Sequence, residues 1–141
     1  PTEPPGHTHN WYNYCLRLDM DALSWAGAPR TMRDAVCKAI QAEGIPVSVW
    51  QQFILPEMTV FKAKNAYGGG FPWSIPGADD GVDYDPARFP VARRHCDSYL
   101  ALVMALRAPN DTDVAETVAG GLRKVFENIG RLDPENPEQA R

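Results

Sequence analysis

The sequence predicts an α+β fold: one small sheet of three strands with helices packed on one side. Three observations predict it. Stretches that alternate apolar and polar residues take turns along the chain with stretches whose apolar residues fall at helical spacing. At 141 residues and 44% hydrophobic, the chain is one domain long enough to bury a core without staples. No apolar run approaches the roughly 20 residues of a membrane span, so the apolar positions belong to a folded interior. The expected order is β, α, β, long loop, α, β, α, without an internal repeat.

Residues 1–8 read as a linker, with Pro1, Pro4, Pro5 and Gly6 and little to bury. From His9 to Asp19 the chain reads as the first strand. Trp11, Asn13, Cys15 and Arg17 fall on one face and Tyr12, Tyr14, Leu16 and Leu18 on the other. The second face is the more apolar and belongs on the core. Gly27 and Pro29 break the connection that follows. Thr31 to Glu43 is the clearest helix. Thr31 stands at a capping position with Asp34 three residues on. Met32, Ala35, Val36, Ala39 and Ile40 form its apolar stripe. Gly44 sits where a helix commonly ends in a left-handed residue.

The second strand opens the stretch from Gly44 to Trp73, with Ile45, Val47 and Val49 alternating against Pro46, Ser48 and Trp50. A loop rich in aromatic residues and broken by Gly68-Gly69-Gly70 follows. Long connections of this kind inside a small domain are uncommon and often functional. Two readings stand side by side: a loop packed on its own domain, or a surface that lines a cleft and needs a ligand or partner domain to complete it. Pro72 to Pro86, with four aspartates, reads as a surface excursion.

Asp85-Pro86 then signals a helix start, aspartate at the cap and proline in the first turn. Phe89, Ala92, Cys96 and Tyr99 continue a helical stripe. Leu100 to Leu106 is a continuous apolar run read as a strand covered on both faces, although periodicity alone does not exclude helix. The Asn110–Asp113 segment supplies a cap and acidic first-turn residues for a last helix. Its stripe is Val114, Val118, Leu122, Val125, Phe126 and Ile129. Gly120-Gly121 weakens this helix but allows close packing on another element, and Gly130 ends it. Residues 131–141 are polar, Pro-broken and expected to be a disordered tail.

A net charge of −4 without a basic cluster argues against nucleic acid as a partner, and no membrane partner is expected. Cys15, Cys37 and Cys96 have no CxxC spacing and read as buried thiols in a reducing compartment, placing the protein in the cytoplasm. His7 and His9 lack further ligands at metal spacing. Asp79, Asp80, Asp83 and Asp85 lack the spacing and distal Glu of a calcium loop. His95 and Cys96 point about 100° apart on a helix and do not make a nucleophile–base pair. Gly68–Gly70 could cradle a phosphate through backbone N–H groups, but the P-loop pattern is missing. Lys38, Lys62, Lys64 and Lys124 belong to no catalytic constellation. The chain therefore shows no complete catalytic set, and most of any active site would lie elsewhere. The Pro-rich start without Met suggests a piece of a longer polypeptide or a processed terminus.

Three blocks in order carry a family resemblance. They are His9-Asn10-Trp11-Tyr12-Asn13-Tyr14-Cys15-Leu16-Arg17-Leu18, then Arg33-Asp34-Ala35 through Gly44-Ile45-Pro46-Val47, then Phe89-Pro90-Val91-Ala92 leading to the apolar run and the last helix. Over residues 9–130 the chain resembles the C-terminal small domain of the DegT/DnrJ/EryC1/StrS aminotransferases. These pyridoxal-phosphate enzymes aminate keto sugars, keto cyclitols and related cyclic ketones, often for antibiotics and cell-surface glycans. The resemblance implies a mainly antiparallel sheet, as in type I aminotransferases. It also implies that the Schiff-base lysine, the aspartate at the pyridine nitrogen and the stacking aromatic belong to an N-terminal large domain. None of the four lysines here matches the family's lysine motif, so no catalytic residue and no pyridoxal 5'-phosphate is expected within these 141 residues. The small domain would furnish the lid side of the substrate cleft near a homodimer interface, with Trp50, Gln52, Phe53, Asn65, Tyr67 and Trp73 facing a small-molecule substrate. Where the family often has His after the first aromatic, Tyr12 follows Trp11. The rival expectation is a free-standing, non-catalytic module whose loop holds a small ligand or a protein.

Overall fold

The computed structural model describes residues 3–10, 12–78, 81–102 and 107–136. They fall into two compact units, one of Pro1–Trp50 with Ser98–Arg141 and one of Gln51–Asp97.

The first unit is α+β. Its sheet has two antiparallel strands, β1 (Tyr14–Arg17) and β2 (Tyr99–Leu102), with Tyr14 opposite Leu102 and Leu16 opposite Leu100. Side chains alternate across a strand. Tyr14 and Leu16 accordingly pack against the core while Cys15 and Arg17 are exposed, as the sequence pattern requires. Exposed Cys15 differs from the expectation of three buried thiols; Cys37 and Cys96 are buried. The core gathers Leu18, Met32, Val36, Ile40, Ile45, Val47, Leu100, Leu102, Val118 and Val125. It is covered by α1 (Pro29–Ala42) and α4 (Thr112–Glu127), which pack on each other.

The expected third strand does not form. Ile45 and Val47 are buried and Ser48 exposed, so the alternation is real, but only one bridge joins Ser48 to Ala101. The reason lies in where the backbone groups go. Pro46 has no N–H to donate. The Val47 N–H turns back to Ile45 O at 2.9 Å, and the Val47 carbonyl accepts from Gln41 Nε2 at 2.9 Å. Ser48 alone pairs, at 3.0 and 2.8 Å; in that register Pro46 is a next residue to face β2, and the turn at Val47 bends the chain out of strand geometry. Of the apolar run Leu100–Leu106, the strand reaches Leu102, and residues 103–106 lie outside the described residues.

Helix α1 starts two residues before the expected Thr31 cap. Pro29 occupies the first turn, where its missing N–H costs nothing, and Ala28 at the cap makes no side-chain bond. At the other end Gly44, with φ +79°, closes a Schellman motif: its N–H reaches Gln41 O at 2.9 Å, and the Ile45 N–H reaches Ile40 O at 3.3 Å. Asp111 caps α4, accepting from Asp113 N and Val114 N at 3.1 and 3.3 Å. The helix ends at Glu127, and Gly130 sits in the 3₁₀ turn Ile129–Arg131. Leu132 still packs on the core.

The paired glycines of α4 separate by what surrounds them. A Cβ on Gly121 would lie 2.5 Å from Ile45 Cδ1, while one on Gly120 meets nothing within 4 Å. Gly120→Ala is expected to stabilise the protein by about 1 kcal/mol through helix propensity alone. At Gly121→Ala the same gain is offset by displacement of Ile45 from the core. Urea titration of the two variants checks this, and a Gly121→Ala gain equal to that of Gly120→Ala would refute the close packing.

The second unit holds no strand among its described residues. It contains the 3₁₀ turn Leu55–Glu57, a single-turn helix α2 (Thr59–Lys62), the 3₁₀ turn Pro86–Arg88 and helix α3 (Pro90–Ser98), whose last residue re-enters the first unit. Asp85 accepts from Ala87 N at 3.0 Å, the expected cap, although it opens the 3₁₀ turn and α3 begins at Pro90.

Candidate functional site

Residues of the second unit line an open cavity of about 470 Å³. That volume is in the range of small-molecule sites. Phe53, Ile54, Leu55 and Pro56 form one wall, Phe61 on α2 and Tyr84 a second, and Phe89, Ala92, His95 and Cys96 along α3 a third.

An ion pair ties the first wall to the third. Arg93 on α3 bonds Glu57, which also accepts the Ile54 N–H at Oε2, 3.3 Å away. Arg93 further approaches Asp97, one turn on, at 3.9 Å. The hydrogen bond from Arg93 holds the Glu57 carboxyl below its usual value of 4.5, against a smaller opposing effect of burial. The same bond raises the Arg93 guanidinium. A depressed folded-state value means that the stabilisation is present above pH 4.5 and is lost as the pH falls through that lower value. Unfolding free energy measured from pH 6 to pH 2.5 should therefore fall about 1 kcal/mol more for the native chain than for Glu57→Gln. Identical pH profiles would remove the pair from any structural role.

The second wall is fixed by three aromatic rings. Trp73 Nε1 donates to the Tyr84 hydroxyl at 2.9 Å. Phe61 meets Trp73 edge-on, with centroids 6.0 Å apart, and tilts against Tyr84 at 5.4 Å. Such arrangements suit the ring quadrupoles.

The expected site residues divide. Phe53 lines the cavity, and Trp73 supports it through Phe61 and Tyr84. Gln52 is exposed beside it in sequence. Asn65 and Tyr67 belong to the glycine loop. Asn65 Oδ1 accepts the Gly70 N–H at 3.2 Å, and Tyr67, 84% exposed, meets the Phe71 ring at 5.8 Å. Trp50, 65% exposed, closes the preceding segment of the first unit. Gly68, Gly69 and Gly70 all adopt positive φ. Two N–H groups of this loop are turned inward, Gly70 to Asn65 and Phe71 to Gly68 O at 3.0 Å. That leaves a poor phosphate cradle.

His95 and Cys96 both border the cavity although they diverge on α3. Burial raises the Cys37 thiol in the core, with Asp34 adding to the effect. Asp83, in contrast, is lowered by the Asp85 N–H and by Arg88.

The cavity does not fit pyridoxal phosphate. No lysine or arginine lines it, and Gln51, Tyr84 and His95 are the only hydrogen-bonding side chains among a mostly apolar lining, too few for a phosphate. Among the described residues no group of three or more His, Cys, Asp or Glu could hold a metal, and no helix is long and apolar enough to cross a membrane. No family model matches the chain, and no curated protein matches its sequence.

Proposed function

We propose that the chain is the small domain of a pyridoxal-phosphate-dependent aminotransferase acting on a cyclic ketone, and that residues 51–97 furnish a wall for that substrate. The observation that carries this reading is a cavity lined by aromatic side chains without a catalytic set around it. Such a surface binds and excludes water, and leaves the reaction to groups held elsewhere. The ordered blocks His9–Leu18, Arg33–Val47 and Phe89–Ala92 support the family. Under this reading the partners are a large domain bearing the lysine and a second copy of the whole enzyme, in the cytoplasm, with Glu or Gln as amino donor. The cofactor supplies the electron sink when bound in the whole enzyme. A second reading, a non-catalytic binding module, is favoured by one fact: the cavity is built entirely within one unit.

Borohydride reduction with pyridoxal phosphate, followed by peptide mass mapping, separates the two. The 141-residue chain should give no stoichiometric adduct at a defined lysine. The polypeptide extended by its upstream coding sequence should give one and should transaminate. An upstream sequence without a lysine-bearing domain would leave the binding module standing.

A further inference from the structure

We infer that the cavity of residues 51–97 takes a ring with one carbonyl and few or no hydroxyls, not a sugar, and that the Tyr84 hydroxyl is the group that reads the carbonyl. The inference deepens the aminotransferase reading and rests on it only for calling this ligand a substrate.

The walls set the ring class. Phe53, Phe61, Phe89 and Ala92 offer carbon surface, and besides Tyr84 the only polar side chains in the lining are Gln51 and His95. A keto sugar entering this space would bring several hydroxyls out of water. Each one left without a partner lowers affinity by about tenfold. A carbocyclic or aromatic ring loses nothing of that kind and gains contact with the rings of the wall.

Tyr84 sets the polar handle. Its oxygen accepts from Trp73 Nε1 at 2.9 Å, which holds the phenol in place. A hydroxyl also carries one proton to donate. Among the described residues no protein group accepts that proton, and Tyr84 lines the cavity. A ligand carbonyl is the complementary acceptor. The Trp73–Tyr84 bond means that occupancy is reported at the Trp73 indole N–H.

Acetophenone and ethylbenzene are close in shape and differ by the carbonyl, and glucose represents the polyol. The chain labelled with ¹⁵N is titrated with each, following the Trp73 indole N–H cross-peak. Acetophenone should shift this peak and bind about fivefold tighter than ethylbenzene, the effect of one hydrogen bond. In Tyr84→Phe, which keeps the ring, the two ligands should bind alike. Ala92→Leu, at an exposed position on α3, should weaken both by filling the cavity. Glucose should leave the peak in place. The inference is overturned by equal affinities for the two aromatic ligands in the native chain, by a glucose shift of the same peak, by no shift with acetophenone, or by an Ala92→Leu chain that binds as before. Failure here with a lysine adduct in the extended polypeptide removes only the ligand class. Success here without that adduct removes only the aminotransferase.

Discussion

Leu100→Ala is expected to lower the unfolding free energy by about 3 kcal/mol. Leu100 is fully buried in β2, opposite Leu16 of β1, and belongs to the cluster shared by α1 and α4. Truncation removes transfer free energy and leaves a space that three different elements border, so no single element can close it. For a domain whose total stability is of order 5–15 kcal/mol, that is a large share. Val91→Ala, in α3 and 72% exposed, is the matched control and should change stability by less than about 0.5 kcal/mol. Urea titration followed by far-ultraviolet circular dichroism measures both. A Leu100→Ala loss below 1 kcal/mol would mean that the sheet is not the centre of this core.

The residues that make Leu100 central are those whose periodicity is plain in the sequence. Met32, Ala35, Val36 and Ile40 are buried at the helical spacing that marks them, and Val118 and Val125 do the same in α4. Asp111 and Gly44 are signals of a few residues, local enough to be read directly. The third strand misleads because side-chain alternation reports burial, whereas a strand also needs free N–H and C=O groups. Pro46 lacks the N–H and the turn at Val47 bends the backbone out of the ladder, without disturbing the alternation. The short elements inside the aromatic loop, Leu55–Glu57 and Thr59–Lys62, are too brief to show a period.

The cavity was hidden for a different reason. Its walls come from Phe53 to Phe61, from Tyr84 and from Phe89 to Cys96, so no window of sequence contains it. Aromatic content marks the stretch that holds Phe53 and Trp73. It could not separate rings that face the cavity from Tyr67, which is exposed. The bond from Trp73 to Tyr84 spans the Pro- and Asp-rich excursion, where nothing periodic announces a partner. His95 and Cys96 diverge on their helix, which argues against a pair, yet two adjacent residues can border one opening.

Phe61→Ala should open the second unit and weaken its ligand binding while leaving the first unit's core intact. Phe61 is half-buried and contacts both Trp73 and Tyr84, which also meet edge-on at 6.1 Å. Each ring pair contributes about 0.5–1.5 kcal/mol beyond area, and a fully buried Phe→Ala costs about 3–5 kcal/mol. A half-buried ring with two such partners should therefore cost about 2 kcal/mol, enough to raise the open population of this small unit some 30-fold. Because the short α2 contributes Phe61 to the cavity wall, the same change removes part of the ligand surface. Hydrogen exchange read by NMR resolves the locality of the effect. Exchange at the Trp73 indole N–H and at the Ile54 amide should accelerate, while amides of Leu100 and Leu102 keep their protection. Acetophenone affinity should fall at least about tenfold, the loss of a wall ring by alanine truncation. Phe61→Leu, which keeps carbon in the wall but loses the edge-on geometry, should fall between the two. Unchanged protection of the Trp73 indole in Phe61→Ala would show that Tyr84 alone holds that ring, and that the wall does not depend on three rings acting together.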